Sequence, residues 1–120
     1  MKIQINFKNK KLLLDVKICK SIFQKIKGLM FCRRETAKPL LFKFKRPTPM
    51  KIHSFFCPKF LAVWLDQKNK IIEAKIIKPF TLSVKPKKEF SKLIEIPLSR
   101  NYYSKVKFIV GEKFKNKKVF

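Results

Sequence analysis

Glycine is nearly absent from this chain: Gly28 and Gly111 are the only two in 120 residues. Loops that cradle phosphates need several glycines close together so that backbone N–H groups can approach the ligand, so Walker-type and dinucleotide-type loops are excluded. Histidine occurs once, at His53, and cysteine three times, at Cys19, Cys32 and Cys57, with no Cys-x-x-Cys pair. That odd, unpaired set is neither a zinc-knuckle spacing nor a disulfide framework, and it fits a reducing cytoplasm. No apolar run approaches about 18 residues, and the start, MKIQINFKNKK, lacks the apolar core of an export signal. A protein that neither spans a membrane nor is exported is the expectation.

Acids are also scarce. Seven Asp and Glu face 31 Lys and Arg, giving a formal charge of +24. Such a field attracts nucleic acid, and to a lesser extent anionic membrane surfaces. Only Arg33, Arg34, Arg46 and Arg100 are arginines. The guanidinium forks onto phosphates and guanine edges, whereas lysine is also the ordinary solvated surface charge. The lysine clusters at 8–11, 67–70, 85–88 and 115–118 all fall in expected turns or the tail, where charge simply stays in water. A nucleic-acid groove would also need exposed aromatics between the charges.

What the chain has in abundance is apolar bulk: 46% hydrophobic residues, 13 of them Phe, enough for a packed core in one domain over residues 1–120. Two-residue alternation dominates. MKIQINF and LLLDVKI place Met1, Ile3, Ile5, Phe7 and then Leu12, Leu14, Val16, Ile18 on single faces, with a Lys-Asn turn between them. Ser21 and Gln24 have capping-box spacing, Ile22, Ile26 and Met30 recur helically, and Gly28 suits a helix end, so a short helix is expected over Ser21–Lys27. PLLFKF, MKIHSFF, FLAVWLD, IIEAKII and KLIEI read as strands, with FLAVWLD buried on both faces. KRPTPM reads as an extended loop, SRNYYSK as a loop or helical turn, and VKFIV with EKFKNKKVF as a closing pair around Gly111. The expected class is α+β, predominantly β: a small antiparallel or mixed, barrel-like sheet with one short helix.

In order and spacing, KGLMF, LLFKF, IHSFF…VWLD, KPF and LIEIP resemble the family called domain of unknown function 192, above all its archaeal branch, from about Val16 to Gly111. The resemblance implies a compact, mainly β, barrel-like domain with a short helix, and no established activity. It marks Gly28, Leu29 and Met30 as the Gly-Leu-Met signature, Leu41 and Phe42 as the apolar-Phe strand, and Asp66, Pro79, Glu95 and Gly111 as further motif positions. The chain departs from the family where KFLAVW replaces a central Pro-x-Asp, and where Lys25 stands in place of a common arginine. If the missing acid were catalytic in relatives, this chain would be inactive or different.

The candidate chemistry gathers around Met50, His53, Cys57, Trp64 and Asp66, as a small pocket where two core strands meet. In a regular strand, four residues span roughly 13 Å, too far for His53 and Cys57 to share a metal ion or act as a nucleophile pair. Each residue also has a plain structural role. Cys57 reads as a core filler, His53 as a hydrogen-bonded rim residue, and Met50 and Trp64 as core or rim fillers. Asp66 reads as an acceptor of backbone N–H bonds in its turn, and Glu95 as an acid that can pair with a lysine across the sheet. No catalytic residue, metal or cofactor is therefore assigned. The leading expectation is a cytoplasmic binding or accessory module. A non-specific RNA- or DNA-binding domain using lysine charge comes second, and a thiol- or metal-dependent enzyme built on Cys32, His53 and Cys57 third.

Overall fold

In a computed structural model of the protein, the described residues are 1–20, 28, 30, 32–33, 35–54 and 56–111. The helix expected over Ser21–Lys27 lies outside them. Within them, Gly28 has the left-handed φ (+50°) that suits a helix end.

Seven strands occur among the described residues. β1 (Lys2–Phe7) and β2 (Lys10–Asp15) form an antiparallel hairpin closed by two residues, with Phe7 paired to Lys10. Lys8 (φ 47°) and Asn9 (φ 64°) both take left-handed conformations. That mirrored turn matches the twist of the strands it joins. β3 (Lys17–Cys19), β4 (Leu40–Thr48), β5 (Phe60–Leu65), β6 (Ile71–Ile77) and β7 (Phe90–Pro97) make one sheet in the order β3-β4-β7-β5-β6. Only the β3–β4 pair is parallel. The fold is therefore mostly β, as expected, with its described helix at Tyr103–Val110 and not at Ser21–Lys27, and its two sheets do not close into a barrel: β3 and β6 remain separate edges.

β5 and β7 sit inside the sheet and carry the core. All six residues of β5 are buried, so its two faces feed two clusters. Leu61, Val63 and Leu65 join Leu41, Ile94 and Ile96 on one side, where Ile3, Ile5 and Leu14 of the hairpin also pack. Phe60, Ala62 and Trp64 join Phe42, Phe90 and Leu93 on the other. Fully burying one such side chain contributes roughly 1.5–3 kcal/mol, so these doubly covered strands are a large source of the fold's stability.

Three local expectations are corrected. The run Leu12–Ile18 is not one strand. Val16 N–H donates to Met1 O (2.7 Å), closing the hairpin, and Lys17 N–H donates to Pro39 O (2.9 Å), moving the chain to the next sheet. Its alternating face survives, since Leu14 and Val16 are buried and Leu12 and Ile18 pack against the same cluster. KRPTPM is not wholly a loop, because β4 continues through an irregularity to Thr48. Beyond the short β3 pairing, that part of β4 has an open side, where a proline without an N–H is tolerated. VKFIV is not a strand. After a 3-10 turn at Arg100–Tyr102, residues Tyr103–Val110 form helix α1, and Val106 and Ile109 enter the core on its inner face. Gly111 ends the helix with φ +71° and donates its N–H to Lys107 O. Among the described residues, no helix is long and apolar enough to cross a membrane.

Candidate functional site

Two turns at opposite ends of β5 organise most of the polar chemistry. At the far end, Asp66 Oδ1 accepts the N–H groups of Lys68 and Lys70, both at 2.9 Å, and Asn69 takes φ 63°. This is the turn role foreseen for Asp66. Lys92 Nζ donates to Asn69 Oδ1 from β7, while burial and the neighbouring Lys43 hold its pKa below the ordinary lysine value. Asn6 Nδ2 donates to Lys68 O (3.1 Å) and Asn6 N–H to Asn69 O (2.9 Å), fastening the hairpin to this turn.

At the near end, MKIHSFF is not a strand. Ile52 makes an isolated bridge to Val84, after which Ser54 takes over the backbone. Ser54 is fully buried. Its N–H donates to Thr81 O (3.0 Å), and its carbonyl accepts the N–H groups of Phe80 (3.0 Å) and Cys57 (3.2 Å). Its hydroxyl donates to Lys78 O (2.5 Å) and accepts Thr81 N–H (2.7 Å). One serine thus stitches residues 52–57 to residues 78–81. A buried hydroxyl with both hydrogen-bonding roles filled locks a segment that strand pairing would otherwise claim. Sequence reasoning passed over Ser54, because a lone serine in an apolar run carries no signal of its partners.

The same junction holds two unusual phenylalanines. Phe56 (φ 56°) and Phe80 (φ 61°) both lie in the left-handed region, which costs a bulky L-residue on the order of 1–3 kcal/mol. Their rings meet edge to face at 5.7 Å between centroids, and both face water, 55% and 62% exposed. Leu82 beside them is 75% exposed. Phe80 falls between Lys78 and Thr81, which line a cleft of about 530 Å³ between the end of β6 and residues 81–85, with Lys75, Ser83 and Lys85 also at its wall. Lys75 Nζ pairs with Glu73 Oε2 at 3.0 Å. Burial works against the Glu73 charge, yet Lys75 and the Lys87 N–H (3.1 Å) outweigh it and hold that carboxyl below its ordinary range. Among the described residues, Lys78 and Lys85 have no acidic partner.

Beneath the sheet lies a third polar feature. Glu95 is not at the surface: it is only 5% exposed, between Leu40 and Ala62 in the ladder. A Cβ added to Gly28 would come within 3.0 Å of Glu95 Oε1 and 3.7 Å of Phe42 Cζ. Burial, then the Glu95 charge, then Cys32 push the buried Cys57 thiol up to about 12. At neutral pH it is a thiol, not the thiolate that attacks carbon or binds metal.

The pocket residues read from the sequence are thus dispersed. Asp66 lies one strand length, roughly 20 Å, from Cys57. Trp64 is wholly buried, and its Nε1 has no hydrogen-bond partner among the described residues. Met50 is 40% exposed on the loop after β4, and His53 is half-buried beside Ser54. The strand geometry used to separate His53 from Cys57 does not exist. Independently of it, no group of three His, Cys, Asp or Glu side chains among the described residues could hold a metal ion. Of the motif positions, Leu41 and Phe42 are buried on β4, Met30 packs on the cluster that holds Trp64 and Phe90, Pro79 precedes Phe80, and Leu29 lies outside the described residues.

No family model and no curated protein matches this chain. Two solved structures share its fold. A protein of unknown function from Novosphingobium aromaticivorans DSM 12444 is similar at 11% identity with a TM-score of 0.69, over 86% of this chain and 76% of its own. A "putative transcription regulator" from Sinorhizobium meliloti 1021 is similar at 17% identity with a TM-score of 0.66, over 78% of this chain and 76% of its own.

Proposed function

We propose that this chain is a non-catalytic binding module of the domain of unknown function 192 family, and that its partner is a nucleic acid held through lysine charge. The observation carrying the partner is the cleft beside β6, where Lys75, Lys78 and Lys85 converge with the hydroxyl-bearing Thr81 and Ser83. Lysines lining one groove, of which Lys78 and Lys85 have no acidic partner among the described residues, suit a chain of phosphates better than lysines dispersed over turns would. A nucleic-acid partner is also compatible with the role in transcription for which the Sinorhizobium neighbour is named. The protonated Cys57 thiol argues against a thiol enzyme.

Family membership is supported separately. Gly28, Phe42 and Glu95, far apart in sequence and all motif positions, meet in space, and a Cβ on the left-handed Gly28 would press on the Glu95 carboxylate at 3.0 Å.

The partner is tested by fluorescence anisotropy with labelled oligonucleotides across a salt series. Affinity should fall linearly on logarithmic axes as salt rises, because each neutralised phosphate releases counterions. Absence of binding to any nucleic acid at about 50 mM salt or below would end this reading.

A further inference from the structure

Resting on that reading, we propose that the partner is unpaired RNA, with bases laid on the Phe56–Phe80 ledge while the phosphates follow the adjoining cleft. Exposed phenylalanine is ordinarily unfavourable, yet here two rings stand in contact, 55% and 62% in water, on left-handed backbone. The arrangement is rigidly held. Ser54 grips Lys78 O, Phe80 N–H and Thr81 N–H on one side of the junction and Cys57 N–H, next to Phe56, on the other. Backbone outliers that the surroundings over-determine mark places where a side chain is presented for use.

The chemistry of the face selects its ligand. A phenyl ring can accept a base only where that base is unstacked from its neighbours, as in single strands, loops and ends. Lys78 and Lys85 offer point charges for phosphates, and among the described residues no arginine lines the cleft to fork onto a base edge. Recognition should therefore tolerate sequence. The hydroxyls of Thr81 and Ser83 sit at the same wall, and Thr81 Oγ1, donating to Lys78 O, keeps its lone pairs for an incoming ribose 2′-OH. That donor is what separates RNA from DNA.

The test compares labelled U12, dU12, a 12-base-pair RNA duplex and inorganic polyphosphate of matched charge. U12 should bind best, and the duplex and polyphosphate about tenfold or more weakly. Phe56→Gly and Phe80→Gly remove a ring while relaxing the backbone, so an unfolded protein is not their expected result; circular dichroism checks this. Each should weaken U12 binding by about 5-fold or more, with an unchanged salt slope. Lys78→Gln and Lys85→Gln should each lower that slope by about 0.7. Duplex or polyphosphate binding as tight as U12, or glycine variants with undiminished affinity, would overturn the ledge, and equal affinity for dU12 would overturn the choice of RNA. Preferential, Phe80-dependent binding to phosphatidylserine vesicles would replace the nucleic acid with a membrane surface. If none of the four polyanions bound, the failure would belong to the nucleic-acid reading itself.

Discussion

The two turns that flank β5 are built alike and present opposite surfaces. Each hangs on one short polar side chain, Asp66 or Ser54, that satisfies several backbone groups, and each contains a residue with φ near +60°. In the Asp66 turn that residue is Asn69, a type that enters the left-handed region readily, and the loop exposes lysines. In the Ser54 junction the left-handed residues are Phe56 and Phe80, and the loop exposes rings. Asparagine at such a position needs no explanation beyond folding. Phenylalanine there is opposed by both sterics and hydration, so the contrast separates a turn that merely reverses the chain from one that displays something.

The largest effect should come from breaking the two anchors. Ser54→Ala takes the acceptor from the part-buried Thr81 N–H and leaves Lys78 O with Thr81 Oγ1 as its side-chain donor, which should lower stability by about 1–3 kcal/mol in urea unfolding, and loosen U12 binding as the ledge loses its support. Asp66→Ala opens a solvent-exposed turn and should lower stability by only about 1 kcal/mol, without altering RNA affinity. Equal binding losses in the two variants would erase the distinction between the turns.

Glycine at the left-handed positions sharpens the comparison further. Phe80→Gly should stabilise the fold slightly or leave it unchanged within about 1 kcal/mol, because the strain it relieves offsets the lost ring contact. Asn69→Gly keeps the left-handed backbone but removes the Oδ1 that accepts from Lys92 Nζ, so it should lower stability by about 1 kcal/mol. Thermal unfolding measures both, and a marked destabilisation in Phe80→Gly would make that ring a packing element instead of a displayed one.

The smallest effect concerns the Glu73–Lys75 pair at the cleft wall. The folded carboxyl has a pKa below its unfolded value, so its contribution to stability is present above the ordinary carboxylate range and is lost as pH falls through the depressed folded pKa. With Lys75 largely in water, the amount should be well under about 1 kcal/mol. Comparing Glu73→Gln with the parent protein in acid titrations of unfolding should show the two curves converging at low pH. A gap that widened on acidification would reverse the sign.

Much of the sheet is legible in the sequence because the same alternation that signals a strand also decides which side chains meet. Ile3 and Ile5, Leu12 and Leu14, and the whole of β5 fall where their two-residue period puts them. Lys-Asn pairs mark two of the turns because asparagine tolerates left-handed backbone. The Ser54 junction misleads for the same reason that β5 reads well: Ile52, Ser54 and Phe56 alternate with His53, and nothing local reveals that Ser54 bonds to residues 78–81. The C-terminal helix does carry a signal, since Tyr102, Val106, Ile109 and Val110 recur at helical spacing, but the β-branched run around them masks it. Glu95 is flanked in the ladder by Leu40 and Ala62 and meets Gly28, partners distant in the chain, and no periodicity within LIEIP could reveal them.

The most direct measurement is a backbone amide NMR titration of the ¹⁵N-labelled protein with U12. Shifts concentrated at Phe56, Lys78, Phe80, Thr81 and Lys85, with Lys68–Lys70 unmoved, are the predicted result. Shifts centred on the Asp66 turn, or spread evenly over every lysine-bearing loop, would contradict it.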